Sequence, residues 1–149
     1  MDIRSPEPHE AGTLARIHRS ARAAAMPWLP VVHTTEEDDR FFRDHVLPSQ
    51  TVLLAQFDGQ IAGFIAYKKD WINHLYIAPR NWRHGIGAKL LTRAMRGAES
   101  FQLWTFQGNH SARAFYAKFG FVEVELTDGS ENEERTPDVR MIWHAGLQQ

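Results

Sequence analysis

Apolar positions along this chain change their spacing several times, and each change marks an element. Leu14, Ile17, His18 and Ala21 recur at helical spacing inside an alanine-rich stretch that Pro27 terminates, which predicts a first helix. Thr34 and Glu37 form a capping-box pair ahead of Phe41, Phe42, Val46 and Leu47, and Pro48 closes this second helix. Residues 51–57 and 61–67 are rich in strand formers, and the Asp58-Gly59 pair between them suits a hairpin turn that needs positive φ. A further strand over 71–77 leads through a glycine-containing turn into a helix whose Leu90, Leu91, Ala94, Met95 and Ala98 make one apolar face. Residues 101–106 read as a strand. Asn109 then caps a short helix carrying Ala112, Phe115, Tyr116 and Phe119, and Gly120 ends it. Strands over 121–126 and 139–144 finish the pattern, joined by a polar run over 127–138.

Runs of strands outweigh strict strand–helix alternation, so the expected class is α+β with a mixed sheet. At 149 residues one domain, 1–149, is expected. The 17 basic and 18 acidic residues give a net charge of -1, without the positive field that nucleic-acid binding usually needs. The absence of cysteine excludes disulfides, thiolate nucleophiles and cysteine-bearing zinc sites. No segment resembles a signal peptide or reaches membrane-spanning length, so no membrane partner is expected and the cytoplasm is the default compartment. The 8 histidines include no pair at metal-ligand spacing, and scattered surface or cap positions account for all but His74; no metal is expected.

Candidate chemistry concentrates at the turn before the third long helix. Gly85 and Gly87 let the backbone present free N–H groups with no Asp or Glu beside them, a receptor for an anion such as a ligand pyrophosphate. Lys89, Arg93 and Arg96 share one helix face and, with Arg80 and Arg83, are expected to add positive charge there; a solvated face is the alternative. A nucleotide P-loop is excluded because Lys89 is followed by Leu90, and a dinucleotide fingerprint lacks its third glycine where Leu90 stands.

The segment Trp82-Arg83-His84-Gly85-Ile86-Gly87 resembles the phosphate-binding signature of the GNAT superfamily of N-acetyltransferases, with Trp82 where the family usually has Arg or Gln. Asn109-x-x-Ala112-x-x-Phe115-Tyr116-x-x-Phe119-Gly120-Phe121 is similar to the family's second hallmark. The resemblance implies a mixed, mostly antiparallel central sheet flanked by helices, in the order β-α-α-β-β-β-α-β-α-β-β. It implies acetyl-CoA as the acyl donor and CoA as product, with pyrophosphate on the backbone of Arg83, His84, Gly85, Ile86, Gly87 and Ala88 and contacts from Trp82. The pantetheine arm would pair along Leu75, Tyr76 and Ile77 as an added strand, and Asn109 would reach the same arm or serve as a plain cap.

Acyl transfer to an amine needs a neutral nucleophile, a polarised carbonyl and a protonated leaving thiolate. Tyr116 matches the family's general-acid tyrosine, with core packing as the alternative. His74 is the leading base candidate. On a regular strand Ile72 and Tyr76 share its side, and a bulge would reverse that. Glu133, Glu134 and Asp138 offer carboxylates for the same task, while Asp70 suits a turn. Trp28 lies where related enzymes contact acceptors, and Glu133 and Glu134 could draw a cationic amine to the site, so the implied acceptor is a small-molecule or peptide amine. A non-catalytic acyl-CoA sensor is the second reading, and a ligand-free interaction protein the third. Edge strands of such a sheet can pair between subunits, which would make a homodimer.

Overall fold

The computed structural model describes residues 1–146; the last three residues of the expected domain lie outside them. Seven strands form one sheet in the order β1-β2-β3-β4-β5-β7-β6. These are β1 (Asp2–Arg4), β2 (Thr51–Phe57), β3 (Gln60–Lys68), β4 (Trp71–Ile77), β5 (Ser100–Phe106), β6 (Val122–Leu126) and β7 (Asp138–His144). All neighbours run antiparallel except β4 and β5, which run parallel. The α+β class and the expected element order both hold.

Two apolar faces sandwich the first half of the sheet. Helix α1 (Ala11–Ala25) and the segment α2 (Thr35–Phe41), a π-helical turn (Phe42–Val46) and α3 (Leu47–Ser49) cover one side. There Leu14, Ile17, Phe42 and Val46 pack on Leu54 and Phe64. Helices α4 (Ile86–Met95) and α5 (His110–Lys118) lie on the other, where Leu90, Leu91 and Tyr116 join Ile65, Ile72, Leu103 and Met141. The local signals act as expected. Thr34 Oγ1 accepts from the Glu37 N–H (3.1 Å) and Glu37 Oε1 from the Thr34 N–H (2.8 Å), closing the capping box. Asp58 and Gly59 both have positive φ, 53° and 75°, as a two-residue hairpin requires.

Two irregularities in β4 shape everything that follows. Ala66 pairs with His74 while the next residue, Tyr67, pairs with Ile72, so Asn73 is an extra residue in the strand. The regular alternation that groups Ile72 with His74 and Tyr76 is therefore corrected. Ile72 joins the core beneath α4, whereas His74 and Tyr76 point to the α1 side. The second irregularity is on the other edge. β4 and β5 are in register only at Trp71 and Gln102, where the Gln102 N–H donates to the Asp70 carbonyl (2.7 Å). Gln102 Nε2 also donates to Asp70 Oδ2 (3.0 Å), and Arg140 donates to Gln102 Oε1 (2.9 Å). Past this vertex the strands separate, leaving a wedge lined by residues of both.

Candidate functional site

The wedge opens beside the glycine turn. After β4 the chain makes one 3-10 turn (Pro79–Asn81), then takes left-handed φ at Arg83 (70°) and Gly85 (72°) before α4 begins. The first backbone bond of α4 runs from the Lys89 N–H to the Gly85 carbonyl (3.1 Å), so the N–H groups of Ile86, Gly87 and Ala88 precede the helical ladder. A Cβ on Gly85 would meet nothing within 4 Å, so its backbone angle, not crowding, demands glycine. A Cβ on Gly87 would sit in ordinary contact with Phe115 at 3.6 Å. Oriented N–H donors at a helix start, on alternating backbone conformations, form a cradle for an anion.

Side chains around the cradle differ from expectation. Trp82 donates its indole N–H to the Ile77 carbonyl (2.8 Å), tying the turn back to the end of β4. His84 turns away and packs on Phe57. Arg80 is committed to Gln60 and the Ile61 carbonyl. Lys89, Arg93 and Arg96 line a groove with Met1 and Ile3 alongside β1. Of the five cations expected at the helix entrance, Arg83 alone belongs to the turn itself; the basic face of α4 lies along the β1 groove.

Inside the wedge, the Leu75–Ile77 end of β4 has β3 on one edge and no strand on the other. Asn109 and Tyr116 line the same space. Asn109 Oδ1 accepts from the Ala112 N–H (3.2 Å), so the cap role is made by a residue that also lines the cleft. Tyr116 is buried against Phe115 and Phe121, and burial, with a smaller contribution from Tyr76, pushes its phenol above the ordinary value. It is a protonated donor at any physiological pH.

His74 is the wall between this cleft and a second space. That second space is a basin bounded by α1, α2 and the β6–β7 loop, lined by His18, Arg22, Phe41, Glu133 and Glu134 among others. The rings of His74 and His18 meet edge to face at 5.7 Å, and Tyr76 lies 4.8 Å from His18. Nδ1 of each histidine is buried without a hydrogen-bond partner among the described residues. Burial first, then the Arg22 cation, lowers the His74 pKa to about 4. Burial, His74 and Arg22 lower that of His18 to about 3. Both rings are neutral. His18 is thus no scattered surface histidine.

Several side chains cross from the α1 side to the far side of the wedge. Arg22 donates to Glu134 Oε2 (2.9 Å) and lies over the Phe106 ring at 5.9 Å. His33 Nε2 meets Glu133 Oε2 at 2.5 Å, and Glu133 with Glu37 raises the His33 pKa. Trp28 packs so closely on Gly108 that a Cβ there would stand 3.0 Å from its ring. The structure therefore brings Glu133 and Glu134 to the basin and leaves Trp28 packed on Gly108 beyond the end of β5, and each carboxylate already has a partner, His33 for Glu133 and Arg22 for Glu134. Glu134 is paired and shielded, whereas the Glu133 side chain is 65% exposed at the basin rim. Among the described residues, no three His, Cys, Asp or Glu side chains assemble as a metal-holding group. Nor is any helix among them long and apolar enough to cross a membrane.

The sequence reading missed Arg22, His18 and the Tyr76 side chain. Two signals were present: His18 and Arg22 are four apart on one face of α1, and His74 and Tyr76 are two apart on β4. Only the bulge shows that the two faces meet.

Comparison with known proteins places this geometry. A model described as the acetyltransferase (GNAT) family matches residues 18–121. An uncharacterised N-acetyltransferase of Archaeoglobus fulgidus is 33% identical over a stretch covering 44% of this chain and 56% of its own length. A relative from Mycobacterium tuberculosis, also described as an N-acetyltransferase, is 36% identical over 46% of this chain and 44% of its own. The chain thus spans about half the length of the curated relatives it matches. Among solved structures, apo YjaB of Escherichia coli superposes with a TM-score of 0.78 at 22% identity, over 95% of this chain and 96% of that one. PaiA N-acetyltransferase of Thermoplasma acidophilum, in complex with coenzyme A, gives 0.76 at 23% identity over 96% and 98%. YncA of Salmonella typhimurium, with its cofactor acetyl-CoA, gives 0.72 at 16% over 97% and 93%. These likenesses establish the fold.

Proposed function

Because the chain belongs to the GNAT acetyltransferase family, we propose that it transfers an acetyl group from acetyl-CoA to a primary amine of a small molecule or peptide by direct attack. The donor fits the residues present. The N–H groups from Arg83 to Ala88 would hold the pyrophosphate, and the open edge of β4 at Leu75 would pair with the amide-bearing pantetheine arm, whereas the Tyr76 carbonyl faces Gly63 of β3. The Ile77 carbonyl is already used by Trp82, so Trp82 supports the turn while the backbone does the binding. The bound thioester supplies an activated acyl carbon and a sulfur leaving group.

The observation that carries the reading is that His74 lines both the cleft containing Tyr116 and the basin on the α1 side. An acceptor in the basin would meet the acyl carbon across the plane of His74. There the neutral imidazole takes the amine proton as the C–N bond forms, when the nitrogen's hold on that proton collapses. Tyr116 gives its phenolic proton to the departing sulfur, a role open to a phenol that is protonated at neutral pH. A backbone N–H near Ile77 would receive charge developing on the carbonyl oxygen. Glu133, Glu134 and Asp138 are the alternative bases. Glu134 is bound to Arg22 and Asp138 is hydrogen-bonded within its own loop to Thr127 and Asn132, which favours His74.

The test is a panel of amines incubated with acetyl-CoA, read as free thiol and as product mass. One amine giving thiol and a product heavier by an acetyl group is the expected result. Thermal stabilisation by CoA with no thiol released from any amine would instead support a non-catalytic sensor.

A further inference from the structure

Arg22 belongs to none of the roles assigned above, yet its guanidinium stands where three parts of the site converge. It comes from the last turn of α1 and donates to Glu134 on the β6–β7 loop (2.9 Å). It covers the Phe106 ring at the far end of β5 (5.9 Å) and lies beside the Tyr76 phenol on β4. Its own charge is opposed by burial but held by Tyr76 and Glu134 together. The pair is mostly shielded, with side-chain exposures of 23% for Arg22 and 13% for Glu134. Arg22 and Glu134 also line the basin that His74 faces. Resting on the transferase reading, we propose that Arg22 is a positioning residue for the acceptor: it fixes the β6–β7 loop and Tyr76 around His74, so that the basin has its reactive shape.

The physical grounds are geometric. No strand pairing joins β4 to β5 past the vertex, so the spacing of the wedge walls on the basin side must come from side chains. Arg22 reaches β4, β5 and the loop together from α1. A guanidinium can serve a carboxylate and a phenol in one plane, which an ammonium cannot. Its cation also faces both histidines. The groups around it are His18 and Arg19 on α1, His74 and Tyr76 on β4, Glu134 on the loop, and His33 and Asp38 at the basin rim. Of these, Glu134 and Asp38 are bonded to Arg22 and Arg19, and His33 to Glu133. A cation beside a histidine disfavours its protonated form, so removing Arg22 makes His74 and His18 easier to protonate.

The experiment uses the full chain with an amine that the panel identifies, and compares Arg22→Gln, Arg22→Lys and Glu134→Gln with the native protein. Arg22→Gln is expected to lower kcat/KM for the acceptor by about 10- to 100-fold. KM for acetyl-CoA and stabilisation by CoA should change little. The acid limb of kcat should move to higher pH, and imidazole titrations of His18 and His74 followed by NMR should move the same way. Arg22→Lys, which keeps the charge but not the fork, should leave the acid limb in place and still raise the acceptor KM. Glu134→Gln should raise the acceptor KM without moving the acid limb upward. If Arg22→Gln does not fold, Arg22→Lys carries the test. Native acceptor KM in Arg22→Lys, or native KM and an unmoved acid limb in Arg22→Gln, overturns the proposal while the transferase reading stands. A native protein that releases no thiol with any amine overturns both.

Discussion

The two edges of β4 are built from the same seven residues and treated in opposite ways. Toward β3 the strand is paired along its length, bulge included, and held so closely that a Cβ on Gly63 would stand 2.4 Å from Ile77 Cδ1 and 2.8 Å from the Tyr76 carbonyl. Toward β5 it is in register at one residue pair and then open. Backbone N–H and C=O groups that β3 satisfies on one side have no strand partner on the other. The cleft is made by withholding pairing from one strand edge, while the other edge stays paired to β3.

The comparison breaks most sharply at Tyr116, which faces the open edge. Tyr116→Phe removes the proton donor while keeping the ring that packs on Phe115 and Phe121, so thiol release should fall by about 10²–10⁴-fold with CoA stabilisation retained. Equal turnover would remove Tyr116 from the chemistry. The closed edge is probed by Gly63→Ala, where the added methyl must displace Ile77 and the Tyr76 carbonyl. A loss of about 2 kcal/mol in unfolding free energy by denaturant titration is expected, and an unchanged midpoint would mean that the close approach is not needed. The smallest effect belongs to Gly85→Ala, whose new Cβ has open space but whose φ of 72° does not suit alanine. About 1 kcal/mol of stability should go, together with part of the stabilisation by CoA. Loss of the first without the second would separate the turn's conformation from anion binding.

Much of the closed side was legible in the sequence. The capping box at Thr34 and Glu37, the Asp58-Gly59 hairpin and the apolar face of α4 are local signals, each read within a few residues and each found in place. The Gly85 turn was equally local, although the left-handed Arg83 beside it was not foreseen, because a non-glycine residue gives no sign of positive φ. What could not be read was long-range. The facing of Ile72 depends on one extra residue at Asn73, and strand periodicity is blind to bulges. Arg80 is equally basic on paper whether it points to the turn or to Gln60, and its commitment to β3 is a tertiary fact. Glu133 and Glu134 read as free carboxylates because their partners, His33 and Arg22, are 100 and 112 residues away.

Strand separation past Gln102 gives the protein a lever. From the vertex to Ile77, β4 extends six residues, roughly 20 Å at strand rise, so tilting it by a few degrees about the Asp70–Gln102 contact shifts its tip by about 1 Å, enough to matter to a reacting pair. Asp70, Gln102 and Arg140 are bonded together at that vertex, so any change in their contact would be carried along the strand to its tip.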